Sequence, residues 1–408
     1  MAMRHHEEIK ALTGLRGVAA LLVAVYHAYP YAFIPWPALS RADSKGYLWV
    51  DLFFVLSGYV MALNYAHLFA QGPSRAAFAE FMRRRFARIY PLYGALLLAR
   101  LLYTWLVIGN FHDETAWAAV HLHHPARDVL ANLALVQSWG LSQSINGPAW
   151  SVSTEWGAYF AFPLLVALVL AGARYRAVLA AIGCAALLAT VLRLDLHDGA
   201  FHSGPLDAYD GTHLAPLLRC IAGFVLGLLT YRVAQWRPAT RIAGSDAFGA
   251  AVLVGLAACL FAGAPDLAIY AFFPPLVLCL AGNRGLVGRA FGCRPVFALG
   301  VLSYAIYLLH VFLIGPRDAV RAWLLARMPQ APAQLLAGLL ALAALLALAA
   351  LAYRFVERPG RGLVRRLGPK NLGRSERIRT SGPCVPNTVL YQAELHSGRA
   401  AAYTAPGE

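Results

Sequence analysis

Arg16 and His27 stand eleven residues apart in a run that is otherwise almost wholly apolar. A charged side chain in hydrocarbon costs ~2.5–3.5 kcal/mol on insertion scales, so one kept there marks a site that has a use for it. At ~100° per residue eleven positions return to nearly the same helix face, and a rise of ~1.5 Å per residue sets the two side chains ~16 Å apart. That face offers a cation for an anionic partner at one depth and, at another, an imidazole whose pKa near ~6.5 suits proton transfer. Other apolar runs supply Asp51 (YLWVDLFFVLSG), Glu155 (PAWSVSTEW) and Ser303, Tyr307 and His310, the last three at i, i+4 and i+7 on one stripe. Either carboxylate can orient or polarise His27, and Asp51 falls at a similar depth. Arg85 and Arg88, at i and i+3, present two guanidinium forks that suit a multiply charged phosphate group. The bland alternatives are a hydrogen-bonded packing histidine, an aspartate facing a loop, and arginines anchored on headgroups.

The elements that must carry these residues are membrane spans. The 408 residues are 59% hydrophobic and 13% charged, against about a quarter charged in soluble domains, which excludes disorder and a secreted disulfide scaffold. Crossing ~30 Å of hydrocarbon takes about 20 apolar residues. Ten segments answer to that, at 9–30, 47–66, 88–109, 152–172, 175–193, 214–233, 247–264, 267–281, 297–315 and 334–355. The eighth is short and holds Pro274 and Pro275, which predicts a kinked or re-entrant piece. The expected fold is therefore an all-α polytopic membrane protein, with a transmembrane domain over 1–366 and a polar, disordered tail over 367–408. The tail has no amphipathic pattern and is expected to contribute nothing to function.

The net charge of +15 is concentrated on one side of these spans, in Arg4 and Lys10, Arg83 to Arg88, Arg174 and Arg176, Arg232 to Arg241, Arg284 to Arg294, and Arg354 to Arg366. The positive-inside rule makes that side, with both termini, cytoplasmic. The loop with Arg317, Arg321 and Arg327 argues the other way. A basic surplus on so apolar a chain points to lipid headgroups rather than nucleic acid. Two long loops, 110–149 and 194–213, face outward as either solvated connections or a polar acceptor-binding surface. His121, His123 and His124 lack the spacing of a metal site, and no metal is expected. Of the six cysteines none forms a C-x-x-C pair, and all read as small buried hydrophobes.

Arg16-x10-His27, FFVLSG at 53–58, RFARIYP at 85–91, WSVSTE at 150–155 and SYAIYLLH at 303–310, in this order on ten spans, resemble the membrane-bound acyltransferase-3 family over residues 9–360. The resemblance implies an O-acyltransferase of the bacterial inner membrane that moves an acetyl or short acyl group from cytoplasmic acyl-coenzyme A to a hydroxyl of a saccharide or glycolipid. It implies catalysis by His27, with Arg16 in the same motif, and donor binding by Arg85 and Arg88. Asp51, Glu155, Ser303, Tyr307 and His310 are carried as further site residues, Tyr307 or His310 being able to donate to an oxyanion. Acyl-coenzyme A is then a substrate, with no resident cofactor. The competing class is a transporter or flippase whose intramembrane charges line a path.

Overall fold

The computed structural model describes residues 9–32, 37–108, 124–193 and 204–366. His112, His121, His123, the first parts of both long loops and the tail lie outside the described residues. The described chain is helical throughout: α1 Lys10–Ala32, α2 Pro37–Asp43, α3 Trp49–Tyr65, α4 Arg75–Ile108, α5 Pro125–Leu133, α6 Ala149–Leu165, α7 Arg174–Arg193, α8 Ala215–Val233, α9 Arg237–Ala243, α10 Asp246–Ala262, α11 Asp266–Tyr270, α12 Phe273–Gly282, α13 Leu286–Gly292, α14 Arg294–Leu309, α15 Ile314–Leu325, α16 Gln330–Ala352 and α17 Arg358–Arg366. Eight stretches are long and apolar enough to cross a bilayer, and two bent pairs bring the number to ten. The chain is a multi-pass membrane protein, and each of the ten expected segments has its helix.

The bent pairs show what the proline and glycine punctuation does. Residues 237–243 and 246–262 meet at 67°, where Ser245 turns the chain and its hydroxyl accepts the Phe248 N–H. Residues 266–282 and 286–292 meet at 90°. Pro274 and Pro275 lack N–H groups, and they sit in the first turn of α12, where no helical carbonyl awaits one. At the sharper corner, Asn283 Oδ1 accepts from Gly285 and Gly288, while the Asp246 carboxylate accepts from Leu286 and Val287 at 2.8 and 3.1 Å. One acidic side chain thus caps a helix that it does not belong to. The eighth expected segment is interrupted by a turn at 271–272, just before Phe273 and the two prolines, and the right-angled α13 follows it.

Two helix crossings position the site. At α1 with α14, a Cβ on Gly17 would lie 2.4 Å from the Gly300 nitrogen, and one on Gly300 would lie 2.0 Å from the Thr13 carbonyl oxygen. Only glycine lets these backbones touch, and that contact sets Arg16 and His27 along the Ser303–His310 stripe. At α3 with α8, Gly58 and Gly227 allow a similar approach. A cluster of rings, including Tyr65, Phe81, Tyr159, Phe162 and Phe224, locks α3, α4, α6 and α8 together, with Phe81 and Phe162 stacked at 4.9 Å.

The second half of the 110–149 loop is not a solvated connection. After α5 the chain turns at Leu135, which has a φ of 59°, and packs onto α6. There Trp139 Nε1 donates to the Ser153 carbonyl, and Ser138 N–H donates to Ser153 Oγ. Buried Asn132 gives its amide to Asp128 O and Gln143 O and accepts from Ile145 N–H. Burial opposes ionisation of Asp128, but hydrogen bonds from the His124 N–H, Ser142 and Arg127 outweigh it and hold its pKa below the ordinary value. Among the cysteines, Cys184, Cys220 and Cys279 are buried, Cys259 is half-buried and Cys293 is exposed, so the expectation of uniform burial fails at the last two. Cys384 lies outside the described residues.

Candidate active site

The larger cavity, about 210 Å³, runs between α1, α3, α4, α6 and α14. Arg16, Arg85 and Arg88 line it, as do Glu155, Ser303 and Tyr307. Arg85 and Arg88 are held in different ways. Buried Arg85 donates to the Tyr65 hydroxyl at 2.6 Å and lies 4.8 Å from that ring's centroid, while its buried Nε has no partner. Arg88 pairs with Glu357 at 2.6 Å and sits 5.2 Å from the Tyr304 ring. Glu357, itself fully buried, also receives Arg361. Arg16 donates to the Gly300 carbonyl at 3.3 Å, which ties it to the crossing with α14. Three guanidinium groups line the cavity with one carboxylate, Glu155, and make a cationic setting for an anion.

Glu155 faces the same cavity and accepts hydrogen bonds from Ser57 and, at 2.6 Å, from Tyr159. The expected partnership of Glu155 with His27 does not form. Tyr307 exchanges a hydrogen bond with Ser151 at 2.8 Å, and Ser303 donates to the Gly300 carbonyl. Leu12, Phe53, Val60, Met61 and Val152 supply apolar wall between these groups.

His27 lies at the other end of α1, beside a second, smaller cavity of about 40 Å³ that it shares with His310 and Arg317. The two imidazoles are 4.7 Å apart, centroid to centroid, and the His310 ring is 5.9 Å from that of Tyr307. A continuous file of rings therefore joins the arginine-lined cavity to His27. His27 Nδ1 contacts the Val23 carbonyl oxygen at 2.9 Å, and His310 Nδ1 contacts the Tyr307 carbonyl oxygen at 2.6 Å. A carbonyl only accepts, so each Nδ1 carries the hydrogen and each neutral ring keeps a lone pair on Nε2. His27 thus has its tautomer set by its own helix, with a lone pair left on Nε2, and a neutral His310 likewise carries its hydrogen on Nδ1 rather than Nε2. Arg317 directs its guanidinium at the His27 and Ala28 carbonyls, at 3.4 and 3.3 Å, and caps this end of the site.

Asp51 is the clearest departure from the sequence reading. Both of its oxygens are held by Arg219, at 2.8 and 2.6 Å in a fork, and neither side chain is exposed at all. Arg219 also donates to the Tyr47 and Ala208 carbonyls. Asp51 lines neither cavity, and both of its oxygens are engaged by an arginine 168 positions away rather than by His27. A carboxylate whose charge reaches His27 is Asp207, within the second long loop. Sequence reasoning also passed over Glu357 and Arg361, although Glu357 is the one acid in the basic run from Arg354 to Arg366 and was visible as such. Arg219 carried a signal too, being an intramembrane cation in an apolar run.

The acyltransferase domain of the acyltransferase-3 family matches residues 9–354, which includes every residue of both cavities. The chain belongs to this family. Acyltransferase MdmB of Streptomyces mycarofaciens is 29% identical over 394 residues, spanning 88% of this chain and 94% of that protein. O-acetyltransferase OatA of Staphylococcus aureus (strain NCTC 8325 / PS 47) is 23% identical over 374 residues, spanning 86% of this chain but 57% of that protein. No solved structure matches the chain. Membership makes this membrane protein an acyltransferase and sets aside the transporter reading.

Proposed function

We propose that the acyltransferase carries an acetyl or short acyl group from acyl-coenzyme A, bound at the arginine-lined cavity, to a saccharide hydroxyl presented at His27. The observation that carries this reading is the single line from Arg16, Arg85 and Arg88 through Tyr307 and His310 to His27. The arginines would take the coenzyme A phosphates, and the apolar wall between them and Tyr307 suits the pantetheine arm. His27 Nε2 removes the hydroxyl proton as the oxygen attacks the thioester carbonyl. The new C–O bond forms, the C–S bond breaks, and the thiolate leaves and takes the proton from His27. With the arginine end cytoplasmic, as the charge distribution favours, a donor made inside the cell meets an acceptor outside it, and the membrane is a bacterial inner membrane.

The test follows thiol release and labelled acetyl transfer from acetyl-coenzyme A in membranes carrying wild type, His27→Ala or Arg85→Ala, with host glycans as acceptor. Label in saccharide is expected with the wild type alone. Undiminished transfer by His27→Ala would remove the base from this scheme, and coenzyme A affinity unchanged in Arg85→Ala would remove the donor site.

A further inference from the structure

Glu357 has no part in the transfer as drawn above, yet it holds one of the arginines that does. Arg88 lines the larger cavity, whereas Glu357 and Arg361 do not. Arg88 Nη1 donates to Glu357 Oε2 at 2.6 Å, and Arg361 Nη2 donates to the same oxygen. Among the described residues the other oxygen, Oε1, is buried and accepts no hydrogen bond, and Arg361 Nε is likewise buried without a partner. Glu357 and Arg361 are 1% and 5% exposed. One buried carboxylate is therefore shared by two guanidinium groups through a single oxygen, unlike the two-bond fork that fixes Asp51 on Arg219. The charge of Arg16 reaches Glu357 as well. A Cβ on Gly360 would lie 2.4 Å from the Pro91 ring, so glycine brings α17 against α4 one turn beyond Arg88 and sets the carboxylate there.

Sharing decides what happens when an anion enters the cavity. Separating a buried ion pair is costly when it leaves one charge uncompensated. Here it does not: if Arg88 turns to a phosphate, Arg361 still compensates Glu357, and the phosphate compensates Arg88. We propose that Glu357 is an internal counter-anion, a positioning residue that occupies Arg88 in the donor-free enzyme, yields it to a phosphate of acyl-coenzyme A and reclaims it as coenzyme A leaves, with Arg361 as the cation that permits the exchange. This rests on the reading of the larger cavity as the donor site. Glu357 therefore competes with the donor for Arg88 and weakens its binding. Arg361, although it does not line the cavity, strengthens donor binding by drawing Glu357 away from Arg88.

The experiment measures equilibrium binding of labelled coenzyme A to the purified full chain in lipid nanodiscs. Glu357→Gln is expected to bind coenzyme A at least threefold more tightly than wild type, a direction that loss of structure cannot produce. Arg361→Ala is expected to bind it at least threefold more weakly. The double variant is expected to match Glu357→Gln, because Arg361 acts only through Glu357. A general change of charge would instead make the two effects add and return the double variant toward wild type. Glu357→Asp, one methylene shorter, stays within reach of Arg361 four residues on but draws back from Arg88, and carries the same expectation of tighter binding should Glu357→Gln fail to fold. Binding that is unchanged or weaker in the Glu357 variants, or an Arg361→Ala loss that persists in the double variant, overturns the proposal. Arg85→Ala keeps the two readings apart. If it binds coenzyme A as wild type does, the donor site itself is wrong; if it loses affinity while Glu357→Gln gains none, the donor site stands and only the role of Glu357 falls.

Discussion

Replacing Asp51 tests whether it belongs to the chemistry or to the scaffold. Its two-bond fork to Arg219, with both side chains wholly buried, predicts a scaffold role. Asp51→Ala leaves a buried guanidinium whose remaining partners are the carbonyls of Tyr47 and Ala208, at 3.1 and 3.2 Å. Breaking one side of such a pair costs ~3–5 kcal/mol, or two to three and a half decades in the folding equilibrium. Asp51→Asn keeps an acceptor oxygen for Arg219 and is expected to cost less. Removing both charges with volume retained, as Asp51→Leu with Arg219→Met, is expected to restore most of the stability, since no uncompensated charge remains. The assay is thermal unfolding of purified protein alongside coenzyme A release measured far below the transition. The expected order of stability is wild type, then the double variant and Asp51→Asn, then Asp51→Ala, with each folded variant retaining turnover. An Asp51→Ala protein that unfolds like wild type and yet releases no coenzyme A would refute this and place Asp51 in the chemistry.

Gly17→Val is expected to prevent the α1–α14 contact, since even a Cβ meets Gly300 backbone at 2.4 Å, and to abolish folded yield in size-exclusion chromatography. Arg85→Ala is expected to weaken equilibrium binding of coenzyme A at least tenfold. The Asp128 carboxylate titrates below its unfolded value of ~3.9, so its contribution to the packing of residues 124–148 is complete at neutral pH and is lost as pH falls below ~3.9 through the folded value. Trp139 fluorescence is expected to report that loss in wild type, and to be altered already at neutral pH, with less dependence on acid, in Asp128→Asn.

Which features were legible in the sequence follows from the range of the interactions that make them. Each span is a local property, a run of about 20 apolar residues, and all ten were placed; the 90° corner was not, because it lies at 283–285 and is held by Asn283 and by Asp246 from another helix. The shared face of Arg16 and His27, and the stripe of Ser303, Tyr307 and His310, are set by one helix's periodicity. Partnerships between helices are another matter. Depth alone made Asp51 and His27 neighbours, but rotation about the helix axis, fixed by glycine contacts at Gly58 and Gly227, turns Asp51 to Arg219 instead. For the same reason Glu155 faces Ser57 and Tyr159, and Arg88 meets Glu357 at a separation of 269 residues.

The loss of a carboxylate partner bears on how His27 would work. A carboxylate behind an imidazole fixes its tautomer and also stabilises the cation formed when it takes a proton. The Val23 carbonyl does the first and brings no full charge for the second. Arg317, at the carbonyls of His27 and Ala28, adds a positive charge nearby, and His310 offers a lone pair rather than an anion. An imidazolium so placed is held weakly. In the proposed transfer that is an advantage, because the departing thiolate has a reference pKa of ~8.5 against ~6.5 for imidazole and recovers the proton downhill. Among the described residues Asp207 is a carboxylate whose charge reaches His27 and favours its protonated form. Asp207→Asn is accordingly expected to shift the pH dependence of turnover while leaving coenzyme A affinity unchanged. A coenzyme A affinity that fell together with turnover would show instead that Asp207 supports the fold around both cavities.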